Sequence, residues 1–500
     1  MQCFATPLRA LAAAVALGFV LATPAAAEDC ATASRPPVAV ESGKSLPPDI
    51  VRPQRLARPG GCLEFRSIAG TIPIPDASGE TRAEIAFVAY LAEGGDAARR
   101  PVVFALNGGP GAGSVWLQLG AIGPWRLAME GLAPSSPPIL TVNAESWLDF
   151  ADLVFLDPPG TGYSRPKNPK DAAKADVWSV EGDISVLAEA IRRWLTGNGR
   201  LASPKFIVGE SYGGFRAPRL AKTLAKDYGL GLRGIILASP VLDFAPFTTG
   251  VSNPFPYLTR LPSYAAAVRE AKGPISRADL ADVEAYATGE YLADWLRGPR
   301  DTAAVARKVG HIAALTGLPP DVVRRYAGDL DEWDFLRERG RLTGRKLAFY
   351  DATLTAGDTA PNWPDAEDPV LPGFVPAFTS AMTTLYREKL GWRVDDIYET
   401  LNGAVSRNWS WGHGLSAPEA LGDLSQTLAL DLNFRVLAAH GLTDVQAPYF
   451  ATALELARLP PFASPDRLSF EVYPGGHMFY ARDASRKAFR DDARRLIEAP

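Results

Sequence analysis

The stretch Lys205-Phe-Ile-Val-Gly-Glu-Ser-Tyr-Gly-Gly-Phe215 decides the fold of this chain. A short apolar run leads into Ser211, which has glycine two residues before and after it, and a segment with helical spacing follows. Glycines allow the sharp strand-to-helix turn, the nucleophile elbow, that exposes a serine hydroxyl at the end of a buried strand. A chance match in a glycine-rich chain is the alternative, but the strand-turn-helix context favours a serine nucleophile.

The rest of the chain repeats this rhythm of short apolar runs, turns and helical patterns. Runs without polar alternation are typical of strands buried on both faces of a parallel sheet. With the elbow, they predict an α/β-hydrolase fold, in which a mostly parallel central sheet is flanked by helices. Residues 245–371 lack such runs and are expected to form a helical cap insertion. The core then comprises residues 63–244 and 372–500. The apolar runs are 102–106, 153–156, 206–208, 234–238, 434–439 and 468–473.

A serine nucleophile needs a general base, and the base needs an acid that orients it. In this fold they follow in the order Ser, Asp or Glu, His. Of four histidines, His477 comes straight after the run 468–473, and we predict it to be the base. We predict Asp444 to be the acid, with a turn-capping role as its alternative. His440 precedes the acid and is the less favoured base.

A glycine-rich loop, Asn107-Gly-Gly-Pro-Gly-Ala-Gly113, follows the run 102–106. Glycines let backbone amides turn toward the negative oxygen of a tetrahedral intermediate. We therefore predict an oxyanion hole made by the amides of Gly109 and Tyr212. A phosphate-binding loop is the rival interpretation, and it fails because no Lys-Ser/Thr pair follows.

The N-terminal residues 1–27 have the pattern of a cleaved signal peptide. Arg9 precedes a short apolar run, and Ala25-Ala-Ala27 offers a cleavage site. An uncleaved membrane anchor is the alternative, but the run is short for a membrane-spanning helix, which favours cleavage. We expect a periplasmic or secreted protein without membrane attachment after cleavage.

Residues 28–62 are rich in Pro, Ala, Ser and Arg, which predicts an extended N-terminal tail. After cleavage the chain keeps Cys30 and Cys62. Export to an oxidising compartment predicts one disulfide between them, with two free thiols as the alternative. Two cysteines are too few for a structural zinc site. No metal and no cofactor are expected, the net charge of -4 does not favour nucleic acid, and no pattern indicates an oligomeric state.

Four motifs in order resemble those of the serine carboxypeptidases. The resemblance extends from about residue 70 to the C-terminus and is weakest in the cap. It implies a serine hydrolase that releases C-terminal residues from peptide substrates through an acyl-enzyme. The motifs are Asn107-Gly-Gly-Pro-Gly111, Asp157-Pro-Pro-Gly-Thr-Gly-Tyr-Ser164, Gly209-Glu-Ser-Tyr-Gly-Gly214 and Gly476-His-Met478.

The resemblance also implies that Asn107 and Glu210 bind the terminal carboxylate of the substrate. Two adjacent carboxylates cannot both stay ionised, so the pair must share a proton, which favours acidic pH. The alternative for Glu210 is a buried acid that only supports the elbow. Members of the family often have a second acidic residue before a Gly-Pro pair. In this chain Ala121-Ile122 precedes Gly123-Pro124, so the acid is absent and the pH optimum stays open.

Other departures from the family are Ala105 in place of a tryptophan, Ala112 in place of a cysteine, and the absence of several disulfides. These departures suggest a divergent, bacterial-type member. An esterase, acyltransferase or aminopeptidase on the same scaffold is the competing hypothesis, because fold does not determine function. A non-catalytic binding protein is a third hypothesis, which an intact Ser, Asp, His order opposes.

Overall fold

The computed structural model describes residues 46–499, apart from 59–60, 132–137, 168–176, 249, 251, 359–367, 413–415 and 462–464. The predicted signal peptide and Cys30 lie outside the described residues. Cys62 is disulfide-bonded, while its predicted pairing with Cys30 stays a prediction. Among the residues described, no helix has the length and apolar character needed to cross a bilayer.

A ten-stranded sheet forms the centre of the molecule, in the order β1-β2-β3-β7-β4-β9-β10-β13-β14, with β8 paired to β3. The strands from β7 to β14 along this order are parallel, and β1, β2 and β3 are antiparallel. The strands are β1 (Ile50–Arg58), β2 (Gly61–Pro75), β3 (Thr81–Ala92), β4 (Val102–Leu106), β5 (Trp125–Leu127), β6 (Leu140–Val142), β7 (Asp152–Leu156), β8 (Arg165–Pro166), β9 (Lys205–Glu210), β10 (Gly234–Ala238), β11 (Arg345–Leu347), β12 (Thr355–Gly357), β13 (Arg435–Gly441) and β14 (Leu468–Tyr473).

Helices cover both faces of this sheet, so the predicted α/β architecture is confirmed. Alternate residues of β4 enter opposite apolar layers: Val103 faces one cluster, and Val102 and Phe104 face the other. Burial on both faces explains why the strands are continuous apolar runs. The helices are α1 (Val115–Leu117), α2 (Val180–Gly197), α3 (Tyr212–Tyr228), α4 (Phe255–Leu258), α5 (Leu261–Glu270), α6 (Ala281–Tyr286), α7 (Leu292–Arg297), α8 (Thr302–Thr316), α9 (Pro320–Arg325), α10 (Glu332–Thr343), α11 (Leu371–Thr384), α12 (Gly403–Arg407), α13 (Leu421–Leu430), α14 (Tyr449–Leu456) and α15 (Asp483–Glu498).

Residues 28–45 of the predicted extended tail, residues 28–62, lie outside the described residues, and most of its remainder is a strand of the sheet. Residues 50–58 form β1, which pairs antiparallel with β2 from Ile50 opposite Ala69 to Arg58 opposite Gly61. β1 is an edge strand, and an edge tolerates Pro53 because one side of the strand makes no ladder hydrogen bonds. The proline- and arginine-rich composition therefore does not indicate the strand that residues 50–58 form.

The chain leaves the sheet after β10 and returns to it with β13. Helices α4 to α10 lie in this insertion, within the range predicted as a cap, and pack around a third apolar cluster. The segment after β13 also contributes to this cluster, through Leu442, Val445, Tyr449 and Phe450. Tyr264 and Phe335 stack at its centre, with ring centroids 4.0 Å apart. α11 packs differently, because its Phe378 contacts Trp116 of α1 in the core layer on one face of the sheet, with centroids 4.6 Å apart.

Candidate active site

Ser211 lies at the turn between β9 and α3 with φ 58° and ψ -121°. A positive φ is strained for a residue with a side chain, and such strain is characteristic of functional turns. The turn is tied to the next strand, since the Ser211 amide donates to the Ala238 carbonyl over 2.9 Å. A side chain at Gly209 would place its Cβ 2.0 Å from the Gly213 carbonyl oxygen. Close packing therefore requires glycine at position 209, and Ser211 has the geometry of a nucleophile elbow.

His477 and Asp444 form a buried pair. His477 Nδ1 lies 2.8 Å from Asp444 Oδ2, and the other carboxylate oxygen accepts the amides of Gln446 and Ala447, both over 2.9 Å. These bonds orient the carboxylate and hence the imidazole ring. Burial opposes the charged imidazolium, but the charges of Asp444 and Glu210 outweigh this effect and raise the pKa of His477. The pair can accept and hold a proton.

The His477 loop and the elbow are attached to the same strand end. Ser239, directly after β10, donates its hydroxyl to the His477 carbonyl over 2.7 Å, and the preceding Ala238 holds the Ser211 amide. Between these two described side chains, no hydrogen bond joins the Ser211 hydroxyl to His477. Such catalytic contacts often tighten only when substrate is bound.

His440, the less favoured base, is fully buried on β13. Within the described part of the chain, neither of its ring nitrogens has a side-chain partner. Burial, and then the charge of His477, lower the pKa of His440 to about 3. A histidine without an orienting acid stays neutral, so this environment gives no support for a role as the base.

The glycine-rich loop contacts the elbow directly. A Cβ at Gly108 would lie 2.5 Å from the Tyr212 amide nitrogen and 2.9 Å from Ser211 Cβ. Gly109 has φ +102°, a conformation that glycine adopts at little cost. Among the described residues, the amides of Gly109 and Tyr212 have no hydrogen-bond acceptor. Both are available for an oxyanion, and Tyr212 adds the positive end of the α3 dipole.

Asn107 and Glu210 are joined by a hydrogen bond of 2.5 Å from Asn107 Nδ2 to Glu210 Oε2. The Asn107 Oδ1 atom accepts the Leu117 amide over 3.0 Å, which settles the orientation of the Asn107 side-chain amide. Both side chains are buried. Burial raises the pKa of Glu210. The charge of His477 and the hydrogen bonds that Glu210 accepts from Tyr480 and Asn107 oppose this rise. The structure thus brings together the two residues predicted to bind a terminal carboxylate. One of them, Glu210, directly precedes the predicted nucleophile Ser211.

Asp157, the first residue of another motif, supports the glycine-rich loop. Its Oδ1 accepts the Ser114 amide over 2.9 Å and the Tyr398 hydroxyl over 3.0 Å. Burial raises its pKa to about 6. Gly162 is required here, because a Cβ would lie 1.8 Å from Asp157 Oδ2. This motif is structural support for the loop that carries the predicted oxyanion hole.

A fully buried ion pair also holds this loop, and sequence reasoning missed it. Arg216 Nε lies 2.6 Å from Asp183 Oδ2, and the same guanidinium donates to the Asn107 carbonyl. Arg216 interrupts the otherwise apolar start of α3, which was the available signal. Its partner Asp183 on α2 could not be identified without the fold.

A strap from the insertion, residues 349–353, packs on the His477 loop and was also missed. The His477 amide donates to the Tyr350 carbonyl over 2.6 Å, and the Tyr350 ring meets the imidazole edge-on at 5.3 Å. Asp351 accepts the Thr443 hydroxyl over 2.7 Å. A Cβ at Gly476 would lie 2.1 Å from the Tyr350 carbonyl oxygen. The strap therefore fixes the backbone on which the predicted base stands.

The site contains the groups that acyl transfer by side chains requires. It combines a strained serine, a histidine oriented by an acid, two available amides and a protonatable carboxyl. In the described ranges, no group of three or more His, Cys, Asp or Glu side chains is arranged to hold a metal ion.

Residues 59–253 match the family model described as serine carboxypeptidase. Serine carboxypeptidase-like 13 of Arabidopsis thaliana is 33% identical over 146 residues, which is 29% of this chain and 33% of the relative. Serine carboxypeptidase-like 16 of the same plant is 29% identical over 192 residues, covering 37% and 42%. The chain thus spans only 33% and 42% of the lengths of these two curated relatives.

A solved structure shares the fold over most of the chain. Kex1(delta)p, a prohormone-processing carboxypeptidase from Saccharomyces cerevisiae, superposes with a TM-score of 0.56 at 16% identity, covering 87% of this chain and 90% of that one. At this identity the likeness concerns the α/β-hydrolase fold alone. The motifs and the match over residues 59–253 make this part of the chain similar to the serine carboxypeptidases.

Proposed function

We propose that this chain is a serine-type carboxypeptidase that releases C-terminal residues from peptides through an acyl-enzyme intermediate. The observation that carries the proposal is the hydrogen-bonded pair of Asn107 and Glu210 beside Ser211. A buried carboxyl with a raised pKa can share its proton with a peptide's terminal carboxylate. An ester or an amidated peptide has no such carboxylate, so the pair favours a free C-terminus.

The chemistry follows from the positions of the other groups. Ser211 Oγ attacks the last peptide carbonyl while His477 takes its proton, and Asp444 stabilises the resulting imidazolium. The amides of Gly109 and Tyr212 receive the oxyanion. His477 then gives the proton to the departing amine, the C–N bond breaks, and a water activated by His477 hydrolyses the acyl-enzyme.

Blocked dipeptides that differ only at the C-terminus test the proposal. We expect the free carboxylate substrate to be cleaved with a kcat/KM at least about tenfold above that of its amide, the minimum for one charge-assisted contact. A blocked amino-acid ester serves as the control for an active triad. Equal rates on the free and amidated peptides would contradict a carboxypeptidase.

The same assay separates the alternatives. An esterase hydrolyses only the ester, an acyltransferase forms a new ester or amide when an acceptor is added, and an aminopeptidase requires a free N-terminus. Labelling of Ser211 by a fluorophosphonate tests catalytic competence independently of substrate. Folded protein that does not label would support a non-catalytic binding protein.

We also propose that the chain is exported, with residues 1–27 removed, to the periplasm or the medium. The disulfide state of Cys62 supports an oxidising compartment, and Cys30 is the proposed partner. Intact-mass analysis of the exported protein, with alkylation before and after reduction, tests both points. An exported protein that still carries residues 1–27 would contradict the proposed cleavage. Alkylation of both Cys30 and Cys62 before reduction would contradict the proposed disulfide.

A further inference from the structure

We infer that Tyr480 is a positioning residue for the carboxylate-binding pair, and that it determines the pH range in which Glu210 binds a free C-terminus. The Tyr480 hydroxyl donates to Glu210 Oε2 over 2.8 Å. The same oxygen accepts Asn107 Nδ2 over 2.5 Å. The inference rests on the proposed function, and it adds a third member to the pair that the sequence predicts.

The two donors decide which oxygen of Glu210 carries the proton. Asn107 cannot turn its side-chain amide round, because its Oδ1 already accepts the Leu117 amide. Oε2 therefore faces an N–H and an O–H, and a proton on Oε2 would oppose the N–H. Oε1 has no hydrogen-bond partner among the described residues. The proton of a neutral Glu210 lies on Oε1, where a substrate carboxylate can share it.

The position of the Tyr480 hydroxyl is dictated by packing. Tyr480 lies three residues after His477, in the turn Phe479–Ala481, and its side chain is fully buried. Its ring lies against Gly120, where a Cβ would come within 2.9 Å of Tyr480 Cε2. Arg486 donates to the Tyr480 carbonyl over 3.3 Å. The ring has no room to move, so its hydroxyl stays on Glu210.

The titratable groups that face Glu210 are His477, Asp444, Tyr350 and Tyr480. Burial raises the pKa of Glu210 and the charge of Asp444 adds to this, while the charge of His477 and the hydrogen bonds from Tyr480 and Asn107 oppose it. Burial raises the pKa of Tyr480 well above its usual value. The phenol therefore remains a neutral donor, and it stabilises the ionised form of Glu210 without adding a second charge.

Tyr480→Phe tests the inference with the full chain. The ionised Glu210 loses one donor, so it keeps its proton to higher pH. We expect the pH at which KM rises for a blocked dipeptide with a free C-terminus to move up by about one unit. The pH profile for a blocked ester should be unchanged. A profile for the free carboxylate that stays in place, or moves to lower pH, would overturn the inference.

Tyr473→Phe is the matched control. Tyr473 is also buried and also donates its hydroxyl to a carboxylate, that of Asp492, and its ring packs 5.1 Å from Phe479. Its loss should leave both pH profiles in place. An equal shift in the control would mean that the effect is a general loosening, and would also overturn the inference.

A second variant covers the case in which Tyr480→Phe does not fold. Replacing Tyr480 by 3-fluorotyrosine keeps the ring and strengthens the donor, so the rise in KM should move to lower pH, and no movement would count against the inference. Failure of the proposed function is a distinct result. In that case wild-type protein treats free and amidated peptides alike at every pH, whatever residue 480 is.

Discussion

Glu210→Gln gives the sharpest test of how this site recognises its substrate. Glutamine has nearly the shape of glutamic acid and cannot ionise. Its oxygen can keep the hydrogen bonds from Asn107 and Tyr480 that Glu210 Oε2 accepts. Its amide group then takes the place of Oε1 and offers an N–H to the substrate. The change therefore removes the titration of residue 210 while the hydrogen-bond network is retained.

The size of the effect follows from this geometry. In the wild type, only protonated Glu210 accepts a second carboxylate, so KM should rise about tenfold for each pH unit above the pKa of Glu210. In the variant, KM should not depend on this titration. At acidic pH the variant exchanges a shared proton for a neutral donor, a loss of about 1.4 kcal/mol or roughly tenfold in KM. The two curves should cross about one pH unit above the pKa of Glu210.

The assay measures kcat and KM across pH for a blocked dipeptide with a free C-terminus, with the corresponding ester as the control. Titration of His477 affects both substrates and cancels in the comparison. The ester should show the same kinetics in both proteins. If the variant's KM for the free carboxylate rises with pH in parallel with the wild type, another group titrates and the reasoning about Glu210 is refuted.

Three further predictions concern the catalytic groups and stability. Ser211→Ala should lower kcat by about 10⁴-fold or more at unchanged Tm, and a smaller loss in steady-state kinetics would argue against this nucleophile. His477→Gln should be comparably severe, while His440→Gln should cost less than about tenfold per folded molecule; the reverse order would identify His440 as the base. Glu455 is buried, and its carboxyl oxygens have no hydrogen-bond partner among the described residues. Burial raises its pKa from 4.5 to about 8. Ionisation is therefore easier in the unfolded chain, and the folded protein loses stability as pH rises from about 4.5 through about 8. Glu455→Gln should therefore stabilise by about 4 kcal/mol more at pH 9 than at pH 5 in urea unfolding, and an equal gain at both would contradict the titration.

Local patterns predicted the parts of the site that lie at strand ends. Asn107 directly follows β4 and Glu210 ends β9, and these two strands are neighbours, with Leu106 opposite Gly209. The last residues of parallel neighbouring strands meet at one edge of the sheet. Each motif could thus be placed from its own strand, without knowledge of the whole chain.

The missing parts depend on contacts that no local pattern carries. Tyr480 and Glu210 are 270 positions apart in the sequence. The location of Tyr480 depends on the packing of its ring against Gly120. The strap was hidden for the same reason, since Tyr350 meets His477 only through the path of the insertion. Composition does not reveal β1, because pairing with β2 at the edge of the sheet determines its structure.

The strap ties the insertion to the loop that carries His477. Because the Tyr350 carbonyl accepts the His477 amide and Asp351 accepts the Thr443 hydroxyl, we expect that the helices of the insertion cannot be exchanged as an independent module. A chimera that receives the insertion of a relative must retain residues 349–353 and their seat at Gly476. Without them, the loop that carries His477 would lose its hydrogen bond to the Tyr350 carbonyl and its contact with the Tyr350 ring.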